Sequence, residues 1–171
     1  RFDKTAHGIK EASFHITLLC KNEIGYRNLL KLTTASYLEG FYYRPRIDKE
    51  ILKKHREGLI ALSGCLKGEV PYYTWNEQLD KARRAIGEFI DIFGTQDFYL
   101  ELMNQNIDAQ QKLIEHYPAL AKEFGLKLVA TNDCHYIHRT DAPAHDALIC
   151  IGTGSAVSDQ DRMRYHGDNF Y

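Results

Sequence analysis

The chain has 171 residues, 44 % hydrophobic and 26 % charged, which is one ordinary globular domain's worth of sequence and enough to bury a sizeable core. Its 22 Lys+Arg against 23 Asp+Glu leave a formal charge of -1, so strong nucleic-acid binding by bulk electrostatics is excluded. The mean hydropathy of -0.44 and the lack of any apolar run of about 18 residues exclude a membrane-spanning helix.

The opening Arg1-Phe2-Asp3-Lys4 has neither a Met nor an apolar export core, which predicts a chain that begins inside a longer, cytoplasmic protein. The four cysteines, at 20, 65, 134 and 150, show no CxxC spacing. Without an export signal they read as reduced thiols. Cys20, Cys134 and Cys150 are expected to be small buried apolar side chains.

In chain order, strand and helix alternate four times. Residues 14–20 (FHITLLC) are β-branched and apolar and predict a buried strand. Asn22 is placed to cap a helix to about Leu38, stopped by Gly40. Phe41 to Ile47 reads as an aromatic loop, and Asp48 opens a short helix to about Arg56. A second strand, 59–63 (LIALS), follows. Thr74 and Glu77 fit a capping box ahead of a helix that puts Leu79, Ala82, Ile86, Phe89, Ile90 and Phe93 on one face, ended by Gly94. A third strand spans 98–103 and a third helix 108–124, which Pro118 should kink or split. A fourth strand spans 127–131, and Asp141 with Pro143 opens a helix to about Ile151. From Gly152 onward the tail reads as a polar, extended exit.

Such alternation implies an α/β fold with mostly parallel strands and covered faces. Four βα units make half of a (βα)₈ barrel, which needs about 250 residues, or a small open sheet. No linker divides the chain, so residues 1–171 form a single domain.

Candidate chemistry gathers where such strands end. Asp133 and His135 follow the fourth strand and, in extended chain, point to one side with Cys134 on the other. A carboxylate beside an imidazole is a ligand pair for Zn²⁺, Mn²⁺ or Fe. Spacing alone leaves open a loop Asp that caps a turn beside a surface His. Cys65 follows the second strand as a possible soft ligand, a nucleophile or a buried thiol. His15 opens the first strand, where a satisfied core histidine is the commoner reading. Glu101 faces either the barrel centre or a basic partner. His145 and Asp146 either pair or tighten a helix start. The window 44–56 holds six basic residues against Asp48 and Glu50, a net +4. With its neighbouring aromatics, this window is the only stretch resembling nucleic-acid binding, through Arg44, Arg46, Lys53 and Lys54. The alternative is a solvated helix face. No Ser-His-Asp elbow, GxGxxG or HExxH pattern is present.

These segments resemble a known family. HITLLCKN at 15–22 with GYRNL at 25–29, YLEGFYYRPRID at 37–48 and GLIALSGC at 58–65 are similar to the polymerase and histidinol phosphatase (PHP) domain of bacterial DNA polymerase III alpha subunits. So are FYLEL at 98–102, VATND at 129–133 and AHD at 144–146. The resemblance implies a distorted (βα)₇ barrel with a cluster of divalent metals (Zn, Mn or Mg) at its C-terminal rim. It carries metal-ligand roles onto His15, Cys65, Asp133 and His135. The family's opening HxH motif and further early ligands have no counterpart here, which implies a piece of a PHP domain lacking its N-terminal strands. Its open sheet edge implies self-association or rearranged strands.

In the family, a full ligand set implies a metal-dependent 3′–5′ exonuclease. A degenerate set implies a scaffold that docks the separate proofreading subunit. The catalytic aspartates of polymerisation lie elsewhere in such a protein. The expectation for this chain is therefore partial metal binding at most, no catalytic residue of its own, and no hydrolysis. The expected partners are the rest of the alpha subunit, the proofreading exonuclease subunit and DNA through the assembled enzyme, with no membrane. A free-standing PHP phosphatase is the remaining alternative, disfavoured by the segment at 42–48.

Overall fold

A computed structural model describes residues 13–165, 167 and 169–171 of the chain. Four strands form one open sheet in the order β1 (Thr17–Cys20), β2 (Leu59–Leu62), β3 (Phe98–Leu102) and β4 (Lys127–Ala130). The helices are α1 (Glu23–Leu38), α2 (Lys49–Lys54), α3 (Glu69–Trp75), α4 (Leu79–Phe93), α5 (Asp108–Phe124) and α6 (Ala142–Thr153). The architecture is α/β with a mostly parallel, unclosed sheet.

One pairing departs from the parallel expectation. β2–β3 and β3–β4 are parallel, but β1 runs antiparallel to β2, with Thr17 opposite Leu62 and Cys20 opposite Leu59. The reason lies in the connection. α1 carries the chain away from the Cys20 end, and residues 39–57 bring it back, so β2 starts where β1 stopped. The Lys21 amide donates to Gly58 O at 2.8 Å and closes this return.

Local chemistry explains most boundaries. Asn22 accepts from the Gly25 amide at 2.9 Å and Asp48 from the Ile51 amide at 2.9 Å, so both predicted caps form. α5 ends on Gly125 in the left-handed region, at φ 65°. Pro118 does not split α5. It lies on the exposed face, while Leu113, Tyr117, Leu120 and Ala121 hold the buried one.

The capping box does not form. Thr74 is buried inside α3, a helix the sequence reading left out, and its hydroxyl donates to Val70 O at 2.8 Å. Aromatic PYYTW looks like loop, yet Pro71 sits in the first turn of α3, where its missing N–H costs nothing. Glu77 instead takes a positive φ of 60° in the link to α4 and pairs with Lys112 at 2.7 Å.

The core lies between β2–β3 and helices α4 and α5. Leu59, Ala61, Phe98, Leu100, Ile86 and Tyr117 are each at most 1 % exposed. Burying a side chain of the size of Phe98 or Leu100 stabilises the fold by about 1.5–3 kcal/mol. The central strands are covered on both faces, whereas Leu19 and Cys20 of β1 and three of the four residues of β4 are exposed.

The tail from Gly152 is not an extended exit. Arg162 folds back to grip Asp146 of α6 with two bonds, at 2.7 and 2.6 Å, and Phe170 is buried. Polar composition hid this return because its anchors are one ion pair and one aromatic ring.

Candidate metal centre

His15 enters the site through the turn that follows β2. Its amide donates to Lys67 O at 2.9 Å, and His15 bridges Gly68. The turn Ser63-Gly64-Cys65 is tight: the Gly68 amide donates to Cys65 O at 2.7 Å, and a Cβ on Gly68 would stand 2.1 Å from Ser63 O. Gly64 has φ +84°, a conformation an L side chain resists. The result sets Cys65 Sγ 3.7 Å from His15 Nδ1. Burial first, then Lys67 and Arg44, holds the His15 imidazole below its ordinary range. That keeps the ring neutral at neutral pH, the form that ligates metals.

The second pair follows β4. His135 Nε2 lies 3.4 Å from Asp133 Oδ2, as the alternation of an extended chain predicts. The Asp133 side chain is 55 % exposed and that of His135 29 %, so the pair is open to solvent.

Between the pairs the strand ends are tied by polar side chains. The Glu101 amide donates to Ser63 Oγ at 2.9 Å, and Thr131 Oγ1 donates to Glu101 Oε1 at 2.7 Å. Glu101 is 4 % exposed, and its Oε2 has no hydrogen-bond partner among the described residues. Among the described residues neither a Lys nor an Arg partners it, contrary to one of the two readings of its sequence position. Ser63 precedes Cys65 by two residues and Thr131 precedes Asp133 by two, so this bridge fixes the rim that carries both pairs.

The predicted ligands thus assemble as two pairs. Among the described residues, no group of three or more His, Cys, Asp or Glu side chains is placed to hold a metal ion. The donors fit a borderline-soft divalent cation in kind, since they offer two imidazoles, a thiol and a carboxylate.

Three features escaped the sequence reading. Asn132 is braced by an amide chain: Gln105 Nε2 donates to Asn132 Oδ1, and Gln105 N to Gln110 Oε1 at 2.7 Å. His145 does not pair with Asp146, which Arg162 occupies; its ring packs 5.1 Å from that of His135. Cys20 and Cys134 are exposed rather than buried, and only Cys150 fits the buried expectation.

The basic window divides in two. Lys49 is held by Glu69 at 2.6 Å and Glu88 at 2.5 Å, and Arg56 donates to Ile92 O, so these two serve the fold. Arg44, Lys53 and Lys54 are exposed, and the Arg46 guanidinium lies 5.1 Å from the Tyr42 ring centroid.

The sheet is open, with the His15–Cys65 and Asp133–His135 pairs at the carboxyl ends of β2 and β4. The PHP domain family matches residues 3–105. The chain belongs to the PHP domain family. It is 46 % identical over 171 residues to the DNA polymerase III subunit alpha of Borreliella burgdorferi, covering 100 % of this chain and 15 % of that protein. It is 44 % identical to the Thermus aquaticus subunit over 172 residues, covering 100 % of this chain and 14 % of that protein. The Treponema pallidum subunit is 40 % identical over 171 residues, 100 % of this chain and 15 % of that protein. The chain therefore spans about a seventh of the length of these curated relatives. Among the described residues, no helix is long and apolar enough to cross a membrane.

Proposed function

We propose that this chain is part of the alpha subunit of a bacterial DNA polymerase III, a cytoplasmic DNA-directed DNA polymerase, and carries part of a metal-dependent phosphoesterase site of the 3′–5′ exonuclease kind. The observation that carries the site reading is the pairing of Cys65 with His15 and of Asp133 with His135 at the carboxyl ends of β2 and β4. Whole-chain identity to three alpha subunits supports the polymerase reading. The partners on this reading are the rest of the alpha subunit, the proofreading subunit, and DNA in the assembled enzyme.

His15 and Cys65 would offer ligands to a divalent ion (Zn, Mn or Mg) at the end of β2, and Asp133 and His135 would offer ligands at the end of β4. A bound divalent ion supplies an activated water and neutralises the oxygens of a displaced phosphate. The chain's own groups prepare for this. The neutral His15 ring leaves a nitrogen lone pair free, and the Ser63–Glu101–Thr131 tie keeps the rim from spreading. Arg44 and Lys67 place positive charge beside His15, which would favour an anionic phosphodiester there. Two pairs fall short of a full cluster, so the 171-residue chain alone binds metal partially and does not hydrolyse DNA.

Elemental analysis of the full-length protein and of this chain, each as wild type and Asp133→Ala, tests the reading. Stoichiometric metal in the full-length wild type, reduced by the substitution, is the expected result. No metal in either protein would overturn the metal site and leave a structural domain that docks the proofreading subunit.

A further inference from the structure

We propose that His145, Tyr165 and Phe170 form an aromatic clamp on His135, which makes the chain's last residues a positioning element for the Asp133–His135 pair. The proposal rests on the metal-site reading above for its purpose, but not for its geometry. The His135 ring centroid lies 4.7 Å from that of Tyr165, 5.1 Å from His145 and 5.8 Å from Phe170. The flanking rings also meet one another: His145 and Tyr165 at 5.1 Å, Tyr165 and Phe170 at 5.0 Å, edge to face. Each ring is therefore held by at least two others, the arrangement aromatic quadrupoles favour.

The backbone supports the same contact. The His135 amide donates to Phe170 O at 2.7 Å, and the Asn132 side-chain amide donates to Tyr171 O at 2.6 Å. The Phe170 amide in turn donates to the Tyr136 hydroxyl at 3.3 Å. Upstream, Arg162 ties this segment to Asp146 on α6, one residue from His145. One helix thus supplies both a clamping ring and the tail's anchor.

An imidazole has two rotatable side-chain bonds. With three rings packed against it, His135 keeps the rotamer that turns Nε2 to Asp133, while its side chain stays 29 % exposed. Groups that orient a metal-binding His are worth about 10–100-fold in metal affinity. Phe170 has no donor atom for a metal, and on this proposal Tyr165 and His145 too act through His135.

The test uses two readouts on wild type, Tyr165→Ala and Tyr165→Phe. The first is the NMR shift of the His135 ring protons, assigned with His135→Gln, in metal-free protein. Ring currents should displace these protons in wild type and Tyr165→Phe, and Tyr165→Ala should move them toward the unstructured value. The second is Zn²⁺ affinity by competition titration. Tyr165→Ala should bind on the order of 10-fold more weakly, with Tyr165→Phe restoring wild-type affinity. Unfolding midpoints separate this from loss of fold, and Phe170→Leu provides a second, milder probe. Undisplaced His135 protons in wild type, or protons unmoved by Tyr165→Ala, would overturn the clamp. Displaced protons in a wild type that takes up no Zn²⁺ would leave the clamp standing and remove the metal reading instead.

Discussion

Gly25 and Gly58 touch backbone to backbone: a Cβ on Gly25 would stand 1.9 Å from the Gly58 carbonyl oxygen. This contact lets the first turn of α1 lie on the start of β2, beside the Lys21–Gly58 bond that reverses β1 against its neighbour. Alanine is ordinarily better than glycine inside a helix by about 1 kcal/mol. At Gly25 the sign should invert, because the obstructing atoms are backbone and cannot turn away. Gly25→Ala should destabilise by about 2–3 kcal/mol, as overpacked sites do. That lowers the unfolding midpoint by on the order of 5–10 °C. Gly87, inside α4 with nothing within 4 Å of its would-be Cβ, is the internal control. Gly87→Ala should raise stability by about 0.5–1 kcal/mol. Equal effects of the two substitutions would refute the close approach.

Tyr117 predicts a pH dependence. Burial above all pushes its phenol well above the ordinary value of 10.0, against a downward pull from Ser63 and with a lesser upward push from the charge of Glu101. Below pH 10 the phenol is protonated in folded and unfolded chains alike, so it adds no slope there. Above pH 10 the unfolded chain loses this proton while the folded one keeps it. Stability then falls as pH rises, by up to about 1.4 kcal/mol per unit. Tyr117→Phe should remove that component while preserving the ring's packing. Urea unfolding between about pH 8.5 and 11 compares the two slopes, and parallel slopes would argue against the assignment.

The thiols should separate by burial. Cys20 and Cys134 are exposed, Cys65 is intermediate and Cys150 is 4 % exposed. A disulfide reagent should label the first two quickly and Cys65 more slowly. Cys150 should react only after unfolding, with peptide mapping to assign each site. On the metal reading, Zn²⁺ should slow the Cys65 phase, because a thiolate held by metal is no longer a free nucleophile. A Cys65 rate indifferent to saturating Zn²⁺ would remove it from the ligand set.

How much of this was legible in the sequence divides along local and non-local lines. The caps at Asn22 and Asp48, the stop at Gly125 and the amphipathic face of α4 all depend on residues within a turn or two, and each appears where its spacing puts it. The Asp133–His135 contact is equally local. The direction of β1 was not legible, because it depends on where residues 39–57 return, which no periodicity encodes. Thr74 shows the limit of a motif: its hydroxyl prefers Val70 O once Pro71 and its neighbours start a helix ahead of it. The pairing of His15 with Cys65 joins positions 50 residues apart, so only the fold or the family resemblance brings them together. The clamp on His135 was illegible for the same reason, since its rings come from α6 and from a tail whose composition reads as solvent-exposed.

The sheet's outer strand should make the 171-residue chain self-associate. Among the described residues β4 pairs on one side only, with β3, and Lys127, Leu128 and Ala130 are exposed. The following helix, α6, exposes Leu148 at 63 % and Ile151 at 79 %. Unpaired backbone donors and acceptors beside exposed apolar side chains form a template for a second strand. The relatives carry several times more polypeptide than this chain, enough to supply such a strand. Sedimentation velocity of this chain should show a weight-average coefficient that rises with concentration over about 1–100 µM. Inward or edge-facing charge is how natural sheets suppress such pairing. Leu128→Lys should therefore weaken self-association at least fivefold, whereas Leu19→Lys, on the opposite edge strand, should leave β4 pairing intact. A chain that stays monomeric across that range would show that the β4 edge, though open, does not recruit a partner strand. Association that Leu19→Lys abolishes and Leu128→Lys spares would move the interface to β1.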